Sequence, residues 1–150
     1  MKRKKILFVC LANMCRSPMA EAILKDIVAK DRKLTVSIDS AAMTDQYTGA
    51  FAVLGAVKEM QKRGLDITKH VSKPIDTLNL SEYDLILTME KRQQEEILAS
   101  YPKLKGRVFT LADYAGHSGD IDDPIHTGRY AECADLLASC IIRVAKRLSN

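Results

Sequence analysis

Read as a sequence, the 150-residue chain predicts an α/β fold with a parallel sheet flanked by helices on both faces. Three observations predict it. Short apolar runs alternate with longer segments of helical spacing, the order of a parallel sheet joined by crossover helices. The first apolar run ends in a small-residue loop that opens directly into a helical pattern. With 47% hydrophobic residues, the chain can bury a core without disulfides or a structural metal. One domain spanning 1–150 is therefore expected.

The first strand is the run Lys4 to Cys10. A helix follows, with Ser17 as its cap, Pro18 at its first position, Glu21 in its first turn, and Ala20, Ile23, Leu24, Ile27 and Val28 on one face. A second strand is expected near Leu34 to Ser40, where Val36 and Ile38 alternate with polar residues, and an irregular stretch from Ala42 to Gly49 comes next. A helix over Ala50 to Arg63 stops at Gly64. The third strand covers Tyr83 to Met89, a helix runs from Arg92 to Tyr101 before Pro102, and Val108 to Leu111 forms the fourth strand. The glycines and aspartates of Ala112 to Gly128 mark a long loop, and such loops in compact domains usually serve function. Tyr130, Cys133, Leu137, Ile141, Val144 and Leu148 fall on one face of a long final helix.

Charge and apolar patterning exclude several classes. Lys2, Arg3, Lys4 and Lys5 account for the whole net charge of +4, so the rest is balanced and no basic groove for nucleic acid is expected. The basic start reads as a solvated terminus. No apolar run reaches the ~18 to 20 residues of a membrane span, so a soluble, cytoplasmic protein is expected and a monomer is assumed. Cys10, Cys15, Cys133 and Cys140 include no CxxC pair and are expected as free thiols. Cys133 and Cys140 share a helix face about two turns apart, too far to bridge, and read as core residues.

The chemistry concentrates where ligands bind in such folds, at the carboxyl end of a strand. Cys10-Leu11-Ala12-Asn13-Met14-Cys15-Arg16-Ser17 places a thiol at the start of a short loop, an arginine six residues on, and a helix N-terminus directly after. This is an anion cradle: loop N–H groups, the helix dipole and a planar guanidinium all suit a phosphate. The same field stabilises a thiolate and can lower a cysteine pKa from about 8.5 into the ~3.5 to 7.5 range, so Cys10 is expected to be an ionised nucleophile.

At these residues the chain resembles the low-molecular-weight protein tyrosine phosphatase family. Ser17-Pro18-Met19-Ala20-Glu21-Ala22, Asp39-Ser40-Ala41-Ala42, His70-Val71, Tyr83-Asp84-Leu85-Ile86-Leu87 and Asp123-Pro124 extend the resemblance over nearly the whole chain. It implies a four-stranded parallel sheet with a phosphate-binding loop after the first strand, and hydrolysis through a phosphocysteine on Cys10. Phosphorylated proteins would be the substrates, with no metal or other cofactor. It assigns Arg16 to the phosphate, Asp123 to proton transfer, Ser17 to the Cys10 sulfur, and Asn13, Ser40 and His70 to supporting the loop. It also implies a reversible disulfide between Cys10 and Cys15, for which loop packing of Cys15 is the equal alternative.

The chain departs from the family at Ala12, where glycine is usual; a positive φ there would cost alanine about 1 kcal/mol. Ile125 and His126 stand where aromatic residues often flank the substrate ring, and with Tyr47 they are the candidate pocket wall. Protein-arginine phosphatases are similar around Val108 to Gly119 but tend to carry threonine where Met14 stands. The other readings are a phosphate-binding module without turnover and a phosphocysteine carrier. An arsenate reductase would need cysteines between Cys15 and Cys133, and the sequence has none.

Overall fold

The computed structural model describes residues 3–150, so Lys2 of the basic start lies outside the described residues. Arg3 and Lys4 are exposed, whereas Lys5 pairs with Glu82 at 3.2 Å and lies over the Tyr83 ring. Four strands, β1 (Lys4–Cys10), β2 (Val36–Ala42), β3 (Leu85–Thr88) and β4 (Val108–Thr110), form one parallel sheet in the order β2-β1-β3-β4. The chain turns one way from β1 to β2 and the other way to β3. The carboxyl ends of β1 and β3 therefore flank a crevice, the usual ligand position in an open α/β sheet.

The β1 sequence is apolar without alternation because both of its faces are covered. Ile6, Phe8 and Cys10 join a core with α1 (Arg16–Ala29), α2 (Leu54–Lys62) and the final helix α6 (Tyr130–Ser149), while Leu7 and Val9 join a second core containing Ile97 of α3 (Lys91–Ser100). Fully burying an Ile or Phe side chain contributes about 1.5–3 kcal/mol. In α6, Cys133, Leu137, Cys140, Ile141 and Val144 are buried at the predicted spacing, and all four cysteines of the chain are free. None of the described helices is long and apolar enough to cross a membrane.

Several boundaries differ from the sequence reading. α1 starts at Arg16, with Cys15 in the cap position, so Ser17 is not the cap and Glu21 lies beyond the first turn. The Ser17 hydroxyl is turned instead into the loop that precedes the helix. α2 starts at Leu54 and not at Ala50, because Ala50 pairs with Ser72 and Phe51 bridges Val71. It ends as expected, with Gly64 at φ +78° just past the cap. Two short helical turns, α4 (Leu111–Tyr114) and α5 (Pro124–Thr127), interrupt the loop expected over Ala112 to Gly128.

Candidate active site

The loop from Cys10 to Arg16 is held by its carbonyls. Those of Cys10, Leu11, Ala12, Asn13 and Met14 accept hydrogen bonds from Met43 N, Thr44 N, Ser72 Oγ, His70 Nε2 and Val53 N, at 2.9, 3.3, 2.7, 2.8 and 2.9 Å. Cys15 O takes the first bond of α1, from Met19 N at 3.1 Å. In a trans peptide the next residue's N–H points opposite the carbonyl. Six successive carbonyls drawn outward therefore turn the N–H groups of Leu11 to Arg16 toward the inside of the loop, beside the N-terminus of α1. That arrangement receives an oxyanion.

Asn13 makes the bend possible. It is the only non-glycine residue with positive φ among those described, at 56°, and asparagine tolerates this region better than most side chains. Ala12 does not have positive φ, so the penalty considered for it does not arise. Fully buried, the Asn13 amide donates to Ser17 Oγ at 2.8 Å and to Ser40 Oγ at 2.9 Å, while its Oδ1 accepts from Lys73 N at 3.2 Å. Ser40 donates to Glu21 Oε1 at 2.5 Å, and Ser17, already accepting from Asn13, has its own hydrogen left for Cys10 Sγ at 2.9 Å. Toward a thiolate, which can only accept, Ser17 is the donor.

Arg16 is 2% exposed. Its Nη1 donates to Glu90 Oε2 at 2.7 Å and to Ile121 O at 2.6 Å, and its Nη2 lies 3.6 Å from Asp123 Oδ2. Burial alone would disfavour its charge, but Cys10, Glu90 and Asp123 outweigh this and raise its pKa above the usual value. Asp123 caps α5, accepting from Ile125 N at 3.0 Å, and its side chain remains 20% exposed. Cys10, Arg16 and Asp123 thus meet at one point on the crevice.

Cys15 is buried, and burial, then Cys133, Asp123 and Cys10, push its thiol upward despite Arg16. Burial likewise pushes Cys133 up to about 12. Tyr47, in the stretch after β2, and Ile125 and His126, in α5, are exposed, and among the described residues no hydrogen bond or ring contact joins Tyr47 to the other two. No group of three or more His, Cys, Asp or Glu placed to hold a metal occurs among the described residues.

Glu90, Glu21 and Ser72 were not singled out for the site by sequence. Only Glu90 left a signal, its position just beyond the third strand, where that strand's carboxyl end meets the crevice.

A family model described as low molecular weight phosphotyrosine protein phosphatase matches residues 5–150. The low molecular weight protein-tyrosine-phosphatase Ptp of Acinetobacter johnsonii is 33% identical over 150 residues, covering 99% of this chain and 100% of the relative. A protein-arginine-phosphatase of Bacillus subtilis is also 33% identical, over 148 residues and 97% of each chain. Among solved structures, the YwlE arginine phosphatase, as a cysteine-to-serine mutant with a phosphorylated active-site serine, superposes with a TM-score of 0.86 at 31% identity, over 96% of this chain and 95% of that one. A match this complete, at a site built in this way, makes the chain a member of the low molecular weight phosphotyrosine protein phosphatase family.

Proposed function

We propose that the chain is a cytoplasmic protein-tyrosine phosphatase that hydrolyses phosphotyrosine through a phosphocysteine on Cys10. The observation that carries this reading is the outward saturation of the carbonyls from Cys10 to Cys15, which turns the loop N–H groups to the inner side of the loop that begins at the Cys10 sulfur. The sulfur attacks phosphorus in line, forming the S–P bond as the P–O bond to the tyrosine breaks. Loop N–H groups and Arg16 hold the equatorial oxygens, whose charge must be stabilised in a loose phosphoryl-transfer transition state.

Asp123 gives its proton to the departing phenolate, whose conjugate acid has a pKa of about 10. It then takes a proton from the water that attacks phosphorus. The S–P bond breaks, inorganic phosphate leaves, and the Ser17 O–H stabilises the returning thiolate. Glu90 and Ile121 O grip one guanidinium nitrogen, which sets the plane in which Arg16 offers Nε and Nη2 to phosphate.

The Bacillus relative named a protein-arginine-phosphatase makes phosphoarginine the competing substrate. Met14 favours the aryl ester: its side chain is long, apolar and half-buried on the loop, a better neighbour for a ring than for a guanidinium. The test compares wild type, Cys10→Ser and Asp123→Ala on phosphotyrosine and phosphoarginine peptides. Cys10→Ser should abolish turnover, and Asp123→Ala should lower kcat on phosphotyrosine by about 10²–10⁴. Undiminished turnover in Cys10→Ser would sink the mechanism. Faster phosphoarginine turnover by wild type would overturn the substrate, and inactive wild type would point to a binding module.

A further inference from the structure

Nine large hydrophobic side chains are exposed among the described residues; Leu11, Tyr47, Phe51, Leu54 and Val71 belong to the loop or to segments bonded to it, and Ile125 to the turn capped by Asp123, which pairs with Arg16. Phe51 and Leu54 are the most exposed of all, at 65% each. They flank Val53, whose N–H holds Met14 O, and Phe51 bridges Val71, which lies between the two residues that hold Asn13 O and Ala12 O. The apolar residues are thus fixed to the outside of the cradle by its own hydrogen bonds. At 65% exposure, Phe51 and Leu54 bury little of their own apolar surface in the fold.

We propose that Phe51, Leu54 and Val71 form a docking shoulder for apolar residues two to four positions from the phosphotyrosine in an extended segment of the substrate. The proposal rests on the phosphatase reading above, and continuity with the site names the occupant. A phosphate in the cradle brings the substrate backbone to the loop, and an extended chain advances about 7–14 Å over two to four residues, while Phe51, Leu54 and Val71 stand one or two residues from the groups hydrogen-bonded to that loop. Size favours a substrate segment over a second copy of this chain. Three such side chains offer on the order of 300 Å², against roughly 800 Å² per partner in a stable interface.

The experiment uses phosphotyrosine peptides of equal net charge carrying leucine, serine or glutamate at the flanking positions, with wild type and the Phe51→Ser/Leu54→Ser protein. Turnover is read alongside that of 4-nitrophenyl phosphate, which has no flanking residues. Peptide affinity is measured by fluorescence anisotropy in the Cys10→Ser background, with and without the shoulder substitutions. Urea midpoints confirm that each variant is folded.

Wild type should prefer the leucine peptide. The double variant should lose about tenfold in kcat/KM and in affinity for that peptide alone, mostly through KM. Its turnover of the serine peptide and of 4-nitrophenyl phosphate should stay within twofold. An equal loss on all substrates, no preference among peptides in wild type, or a wild-type dimer that the double variant dissolves in sedimentation would overturn the proposal. If wild type hydrolyses no aryl phosphate, the phosphatase reading fails separately. The anisotropy comparison then still decides the shoulder, because loss of the leucine preference needs no turnover.

Discussion

Replacing Asn13 separates two contributions that the loop combines in one residue. Asn13→Gly keeps the left-handed backbone but removes the side-chain bonds to Ser17, Ser40 and Lys73 N. At about 1 kcal/mol each, the loss is about 3 kcal/mol, since Ser17 and Ser40 retain partners in Cys10 and Glu21 and only the Lys73 N–H is orphaned. Asn13→Ala removes the same bonds and adds the cost of a Cβ at φ 56°, about 1–2 kcal/mol. Urea unfolding should therefore order the proteins wild type, Asn13→Gly, Asn13→Ala, with alanine about 1–2 kcal/mol below glycine. Ser17 keeps its bond to the sulfur but loses the Asn13 amide that holds its hydroxyl in place, and kcat on an aryl phosphate should fall at least tenfold in both. Equal stability of the glycine and alanine proteins would refute the left-handed conformation at Asn13. A loss below about 1 kcal/mol in Asn13→Gly would refute the network's contribution.

Two further outcomes follow from packing and burial. A Cβ on Gly55 would overlap the Tyr130 ring at Cε2, so Gly55→Ala should destabilise by about 1–2 kcal/mol despite alanine's better helix propensity. In a Tyr130→Ala background the same change should instead stabilise by up to about 1 kcal/mol, and urea unfolding that finds no reversal would contradict the contact. Burial raises the pKa of Cys15 and Cys133, so the unfolded chain releases these protons first. Their contribution is complete below the ordinary thiol pKa of about 8.5 and is lost as pH rises above it. Cys133→Ala should reduce the alkaline slope by about 1.4 kcal/mol per pH unit in unfolding measured between pH 9 and 10.5.

What the sequence disclosed was local. Cys10, Arg16 and the strand and helix around them are contiguous, and the apolar spacing of α6 is a property of that segment alone. The same locality misled at Ser17, where a serine before a proline looks like a cap until its hydroxyl is seen against a sulfur seven residues back. Glu90 and Ser72 reach the loop across 74 and 60 residues of chain, and no periodicity encodes such pairings. Ile121 was invisible for another reason: it acts through its carbonyl, which every residue possesses. Asn13, Ser40 and His70 could be placed only through the family resemblance. Alone, a buried asparagine, a serine and a histidine suggest nothing about one another.

The outward clamp also accounts for the irregular stretches after β2. Segments 43–44, 53 and 70–72 supply donors to five consecutive loop carbonyls, so the cradle is organised before any anion enters and need not reorganise during reaction. Three of those donors, Met43, Thr44 and Val53, are main-chain N–H groups, available from any residue except proline. The clamp fixes where their backbone runs but places little demand on the side chains that project from it. A chain can therefore vary the residues around its mouth without disturbing the geometry of Cys10 and Arg16. The apolar Phe51 and Leu54 stand on such backbone, which is why substrate preference should respond to them while the chemical step does not.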